Sequence, residues 1–101
     1  ETFSEDTRDS NFISELLLVL GEAAFRRFRR SGFKSFRTII IKVRFSDFET
    51  KTRSYTLGKP TSTLDVLRFE ILRLLLPFLD KRENPKRKAI RLIGVRLEKL
   101  S

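Results

Sequence analysis

The chain is 101 residues long and has a formal net charge of +9, from 22 Lys and Arg against 13 Asp and Glu. It contains neither Cys nor His, which excludes a disulfide framework, a thiol nucleophile, a cysteine metal cluster and the commonest general base. Because 40% of the residues are apolar and ten are Phe, one core can be filled, and we expect a single domain over residues 1–101.

The amino-terminal third predicts a short strand followed by a long helix. Residues 1–5 are interpreted as the strand, and the polar residues 7–11 hold several candidate caps for the helix, among them Asp9 and Ser10. From Phe12 to Phe28 the apolar residues recur at helical spacing. Gly32 is a typical helix stop, because glycine readily adopts the left-handed conformation in which many helices end.

The middle of the chain predicts a β-hairpin. Apolar and polar residues alternate over residues 36–46, as in a strand with one buried face. Residues 46–49 predict a turn, and residues 50–57 predict a second strand. We expect this strand to end where Gly58 and Pro60 interrupt the pattern.

The last part of the chain predicts a second helix and a final strand. Ser62 and Asp65 have the spacing of a capping box at the start of an apolar helical stretch over residues 64–79. Residues 80–88 form a charged loop, and residues 89–100 predict a strand.

The predicted order is therefore βαββαβ, which is typical of an α+β domain. Its simplest packing is a four-stranded, mainly antiparallel sheet with two helices packed on one face and the other face open. The side chains on the open face then decide the function.

Alternation within each strand assigns its side chains to the two faces of this sheet. In the first hairpin strand the predicted outward residues are Thr38, Ile40, Lys42 and Arg44. In the final strand they are Leu92, Gly94 and Arg96. The second hairpin strand leaves two possibilities, the hydroxyl row Thr50, Thr52, Ser54 and Thr56, or the row Lys51, Arg53 and Tyr55. The hydroxyl row faces outward if Leu57 points inward.

The charge is distributed unevenly along the chain. Residues 1–22 hold six acids and one Arg, a net charge of −5, whereas residues 23–101 hold 21 basic and seven acidic residues, a net charge of +14. This excess favours a polyanionic partner over an ordinary solvated sheet face. Short hydroxyl side chains beside Lys and Arg suit a phosphate backbone and read few base edges, so we expect sequence-tolerant binding.

Three segments resemble the little-finger domain of DinB-like, Y-family translesion DNA polymerases of the polymerase IV type. Residues 42–57, KVRFSDFETKTRSYTL, are similar to the central hairpin of that domain. Residues 90–97, IRLIGVRL, resemble its last strand, and residues 5–9, EDTRD, resemble the start of its first helix. The three segments occur in the right order, so the resemblance covers nearly the whole chain.

The resemblance implies a domain that grips duplex primer–template DNA, mainly by its phosphates, and modulates processivity and lesion bypass. It implies DNA contacts from Lys42, Arg44, Thr52, Arg53, Ser54, Thr56, Arg91 and Arg96. The other implied partners are the catalytic core of the parent polymerase and a sliding clamp, bound through a tail after the last strand. Catalysis and its Mg²⁺ belong to the palm of the parent, so this chain is expected to be a cytoplasmic fragment without catalytic residues or a cofactor of its own.

Two other classes of βαββαβ domain remain as alternatives. An RNA-binding domain of the RRM type stacks bases on exposed aromatic side chains through a basic-Gly-aromatic motif. Residues 44–46, Arg-Phe-Ser, lack that glycine, and Phe45 belongs to the inward row. A protein-interaction domain is the second alternative, and the basic excess counts against it. A membrane partner is not expected, because the longest apolar run, residues 16–20, is too short to span a bilayer.

Overall fold

A computed structural model describes residues 2–101, with side chains from residue 7 onward. The elements are β1 (Thr2–Thr7), α1 (Ser10–Arg30), β2 (Phe36–Phe45), β3 (Thr50–Thr61), α2 (Leu64–Leu75), a single 3₁₀ turn (Leu76–Leu79) and β4 (Ile90–Glu98). The strands lie in the order β1-β4-β2-β3, and each neighbouring pair is antiparallel. The predicted α+β class, with two helices and an open antiparallel sheet, is confirmed. Of the strand predicted over residues 1–5, Glu1 lies outside the described residues.

The ends of α1 follow from local sequence. The carboxylate of Asp9 accepts hydrogen bonds from the amides of Asn11 and Phe12, at 3.0 and 3.1 Å, and so satisfies two amides that have no partner within the helix. At the other end Gly32 adopts a φ of 87°, the left-handed conformation expected of a helix stop. Of the two named candidate caps, Asp9 is the N-cap and Ser10 is the first residue of the helix, while Gly32 ends the helix as expected.

Strand β3 is longer than predicted. It continues through Gly58 and Pro60 to Thr61, which pairs with Phe36. The register shifts between Phe36 and Thr38, so the extra residues are accommodated as an irregularity. Because β3 is an edge strand, a proline without an amide hydrogen is tolerated there, and the prediction that Gly58 and Pro60 end the strand is wrong.

The start of α2 also differs from the prediction. Thr63, with no side-chain capping hydrogen bond, is the N-cap, so the predicted capping box of Ser62 with Asp65 is wrong. The carboxylate of Asp65 instead lies 3.5 Å from the guanidinium of Arg68, one turn along the helix. At its far end α2 changes into the 3₁₀ turn that contains Pro77, because proline cannot donate the helical backbone hydrogen bond.

Both helices pack on one side of the sheet. The core is formed by apolar side chains from the helices and from the inward rows of the strands, among them Ile13, Leu17, Phe28, Phe36, Ile39, Ile41, Val43, Phe45, Leu67, Ile71, Leu75, Phe78, Ile90 and Ile93. A Cβ placed on Gly21 of α1 would lie only 2.6 Å from the Cδ1 of Ile71 on α2. Within residues 2–101, no helix has both the length and the apolar character needed to cross a bilayer.

Candidate nucleic-acid interface

The strand register defines the sheet surface that faces away from the helices. Directly paired residues of neighbouring strands project to the same side of a sheet. Lys42 pairs with Thr52 on β3 and with Gly94 on β4. We call the resulting surface the open face, and its residues are Thr38, Ile40, Lys42, Arg44, Thr50, Thr52, Ser54, Thr56, Leu92, Gly94, Arg96 and Glu98.

Most of the predicted site residues meet on this surface. The open face contains Lys42, Arg44, Thr52, Ser54, Thr56 and Arg96. Leu57, on the opposite row of β3, packs against the core, so the hydroxyl row is the one that faces outward. The outward rows predicted for β2 and β4 are also confirmed by the register.

Hydrogen bonds between the strands order part of the open face. The Nε of Arg44 donates to the hydroxyl of Thr50 at 2.9 Å, which holds this guanidinium against the neighbouring strand. The hydroxyls of Thr38 and Thr56 share a hydrogen bond of 2.9 Å. Lys42 is exposed at the centre of the face. The surface therefore combines cations with hydroxyl groups that can donate to phosphate oxygens.

Gly94 leaves a gap at the centre of the open face. Among the described residues, no atom beyond the two chain neighbours of Gly94 lies within 4 Å of the position that a Cβ would occupy, so packing against these residues does not require a glycine there. The backbone at this point forms the floor of a shallow depression lined by Lys42, Thr52 and Arg96. Glycine in the middle of a strand weakens the strand and often marks close approach of a ligand or another backbone.

Arg53 lies on the other side of the sheet. It pairs with Ile41, which is fully buried, and its row therefore faces the helices. Its guanidinium forms an ion pair with Glu83 and lies 6.0 Å from the ring centroid of Phe78. Arg53 is therefore separated from the predicted contacts on the open face, because alternation along β3 places it opposite to the hydroxyl row. Its contact with DNA stays a prediction.

Arg91 occupies an irregular position at the end of the sheet. Arg44 pairs with Leu92 and Phe45 pairs with Ile90, so the register between β2 and β4 shifts at Arg91, as it does at a β-bulge. Its guanidinium carbon lies 4.6 Å from the centroid of the ring of Phe48, in the turn between β2 and β3. The structure thus places Arg91 beside the turn rather than in the regular rows.

Ion pairs fasten this turn to the residues before β4. The Nζ of Lys88 lies 2.6 Å from a carboxylate oxygen of Asp47 and 3.5 Å from one of Glu49. The hydrogen bond from Lys88, followed by one from the amide of Glu49, lowers the pKa of the Asp47 carboxyl below its ordinary value of 3.8. The same contact with Asp47 raises the pKa of the Lys88 ammonium. The amide and carbonyl of Lys88 are in turn held by the buried side chain of Asn84, at 2.9 Å each.

Sequence reasoning missed Glu98 of the open face and Phe48 of the adjoining turn. Glu98 pairs with Thr38 on the open face, and its carboxylate lies 3.0 Å from the Nε of Arg96. Its place in the outward row of β4 could have been found from the same alternation that assigned Arg96. Phe48 gave no such signal, because its position depends on the conformation of the turn.

Residues 1–101 match the protein-family model of the impB/mucB/samB family C-terminal domain. The chain belongs to this family. The resemblance to the little-finger domain of Y-family polymerases of the polymerase IV type is thereby confirmed, and the curated relatives agree with it. A DNA polymerase IV from Methanoculleus marisnigri is 37% identical over 99 residues, which are 98% of this chain and 26% of the relative. DNA polymerase IV 2 from Methanosarcina mazei is 38% identical over 99 residues, which are 98% of this chain and 25% of the relative.

Solved structures share the fold of this little-finger domain. The complex of the beta-clamp processivity factor and the little finger domain of PolIV aligns with a TM-score of 0.73 at 19% identity, over 100% of this chain and 85% of that one. A ternary complex of Dbh aligns with a TM-score of 0.73 at 20% identity, over 97% of this chain and 27% of that one. The chain spans about a quarter of the length of the two curated relatives described above.

The described part of the little-finger domain offers no ligand set for a metal ion. From residue 7 onward, no three Asp or Glu side chains are grouped closely enough to hold one.

Proposed function

We propose that this little-finger domain binds duplex primer–template DNA through its open face, as an accessory domain of a translesion DNA polymerase. The observation that carries the proposal is the register of β2, β3 and β4, which collects Lys42, Arg44 and Arg96 with the hydroxyl row on one surface that the helices do not cover. The names of its relatives, DNA polymerase IV, are consistent with this role.

The proposed contacts are directed to phosphates. Lys and Arg neutralise phosphate charge and release counterions, while Thr and Ser hydroxyls donate hydrogen bonds to phosphate oxygens. The open face has no Asn, Gln or aromatic side chain from β2, β3 or β4, so it has little with which to read base edges or to stack on unpaired bases. This composition favours double-stranded DNA of any sequence over single-stranded RNA.

The proposal extends to the parent protein. We infer that a catalytic core with a Mg²⁺-binding palm tethers this domain to its substrate, and that tethering raises the effective concentration of the domain on DNA. A sliding clamp is a further proposed partner, in keeping with the clamp complex of the related little finger domain. We further propose that the parent protein acts in the cytoplasm and that this domain influences its processivity and its bypass of lesions.

The salt dependence of DNA binding tests the proposal. With Lys42, Arg44, Arg91 and Arg96 each neutralising one phosphate, the slope of log K against log salt is expected to be about −3.6. Replacing Arg44 and Arg96 together with Ala should make the slope shallower by about 1.8 and should weaken binding equally on unrelated duplexes. Fluorescence anisotropy with labelled duplexes at several salt concentrations measures both quantities.

A second double variant controls for net charge. Arg26→Ala combined with Arg30→Ala removes the same charge from the exposed end of α1, away from the open face. We expect its slope to remain close to that of the unmodified chain. Equal losses in the two double variants would overturn the proposed surface, and tighter binding to single-stranded RNA than to duplex DNA would support the RNA-binding alternative.

A further inference from the structure

The turn between β2 and β3 holds a phenylalanine in an unfavourable conformation. Phe48 has a φ of 69°, in the left-handed region that glycine adopts readily and residues with a Cβ avoid. Its side chain is 64% exposed, so little burial of the ring compensates for the strain. A glycine would form this turn at a lower cost, which indicates that the ring serves a purpose other than packing in the core.

The contact of the Phe48 ring with Arg91 identifies that purpose. The guanidinium carbon lies 4.6 Å from the ring centroid, well within the range of a cation–π interaction. An Arg guanidinium can lie against an aromatic ring and also donate hydrogen bonds to an anion such as a phosphate. The ion pairs of Lys88 with Asp47 and Glu49 hold the turn that carries the ring.

We propose that Phe48 is a positioning residue for DNA binding, whose ring holds the Arg91 guanidinium at the end of the open face so that it can bind a phosphate of the duplex. This inference rests on the proposed function of the open face. Ordering a long Arg side chain costs conformational entropy when it binds a ligand. A guanidinium already placed by a ring loses less of that freedom on binding, so affinity increases without a direct contact between Phe48 and DNA.

The substitution Phe48→Gly distinguishes a positioning role of the ring from a structural role. Phe48→Gly removes the ring and relieves the strain, so the melting temperature should stay the same or rise. Affinity for duplex DNA should nevertheless fall about 2- to 5-fold, the equivalent of one exposed cation–π interaction. Phe48→Trp preserves a ring for the guanidinium and should retain the affinity of the unmodified chain. A loss of affinity that is matched by a lower melting temperature would assign the ring a structural role and overturn the proposal.

A double-mutant cycle tests whether Phe48 acts through Arg91. In the Arg91→Ala background, Phe48→Gly should cause no further loss of affinity. In the unmodified chain, the NMR signal of the Arg91 Nε–H should show an upfield ring-current shift that disappears in Phe48→Gly. A second loss of equal size in the Arg91→Ala background would mean that the ring contacts DNA itself, which contradicts positioning.

Comparison of these variants with Lys42→Ala distinguishes a failure of the proposed role of Phe48 from a failure of the proposed function. If Lys42→Ala weakens binding while Arg91→Ala and Phe48→Gly bind like the unmodified chain, the role of Phe48 is refuted and the open face remains. If none of the three variants weakens binding, or the unmodified chain binds no duplex, both proposals fail.

Discussion

Filling the gap at Gly94 should strengthen the fold and weaken DNA binding. In Gly94→Val the new side chain enters open space, since no atom of the described residues beyond its two chain neighbours lies within 4 Å of the Cβ position. Replacing a strand glycine with a β-branched residue should raise the free energy of unfolding by about 0.5–1 kcal/mol. For a domain of this size, such a gain corresponds to an increase of roughly 2–8 °C in melting temperature.

The effect on DNA follows from the position of Gly94 between Lys42 and Arg96. A valine side chain displaces an approaching phosphate by about 2 Å, from about 3 to about 5 Å from each cation. In water this lowers the attraction to each cation by about 0.5 kcal/mol, and the two together by about 1 kcal/mol. Binding should therefore be about 6-fold weaker, with little change in the salt slope, because the same cations still neutralise the phosphates.

Gly58→Val provides a matched control. Gly58 also has open space around its Cβ position, but it lies on the irregular part of the β3 edge, outside the open face. Its valine variant should bind DNA like the unmodified chain. Melting curves and anisotropy titrations on both variants measure stability and affinity separately. If Gly94→Val binds with unchanged affinity, the phosphate backbone does not approach the sheet at this point, and the reasoning is refuted.

Two further substitutions address the surface and the core. Glu98→Gln removes the carboxylate that lies 3.0 Å from the Nε of Arg96. Duplex binding should become about 2- to 4-fold tighter, and its salt slope should become steeper. If anisotropy titrations give an unchanged affinity, the Glu98 carboxylate does not compete with DNA for Arg96. Gly21→Ala places a methyl group 2.6 Å from the terminal Cδ1 of the fully buried Ile71. Overpacking should cost about 1–3 kcal/mol, and the higher helix propensity of Ala offsets about 1 kcal/mol of this cost. The free energy of unfolding should therefore fall by up to about 2 kcal/mol in denaturant titrations. A midpoint above that of the unmodified chain would show that the Ile71 side chain moves aside at little cost.

The contrast in hydrophobicity between the two side-chain rows of a strand explains which parts of the sheet were predictable from the sequence. In β2, apolar residues such as Ile39 and Ile41 alternate with Thr38 and Lys42, so only one register buries the apolar row. The same contrast assigned Arg96 to the outward row of β4. Helix boundaries at Asp9 and Gly32 were predictable because cap residues act through local backbone geometry.

Strand β3 lacks that contrast, so the sequence left its outward row undecided. Both of its rows are polar up to Leu57, so alternation alone could not distinguish Arg53 from Thr52. Pairing with β2 decides the question, and pairing is a long-range property. The length of β3 depended in the same way on its place at the sheet edge, where Pro60 is tolerated. The contact of Phe48 with Arg91 joins a turn to a bulge, which no local pattern indicates.

The attachment of the hairpin to the loop before β4 has a consequence for the energetics of recognition. Lys51 donates to the carbonyl of Glu83 at 2.9 Å, the carboxylate of Glu83 pairs with Arg53, and Lys88 holds the turn. Lys51 and Arg53, the helix-facing cations of β3, thus connect the hairpin to this loop on the side opposite to the open face. The outward residues of β3 take no part in these contacts. A surface that is held in this way before binding changes shape little when it associates with a ligand. The association rate constant for duplex DNA should therefore be limited by diffusion and electrostatic attraction, and not by a conformational change.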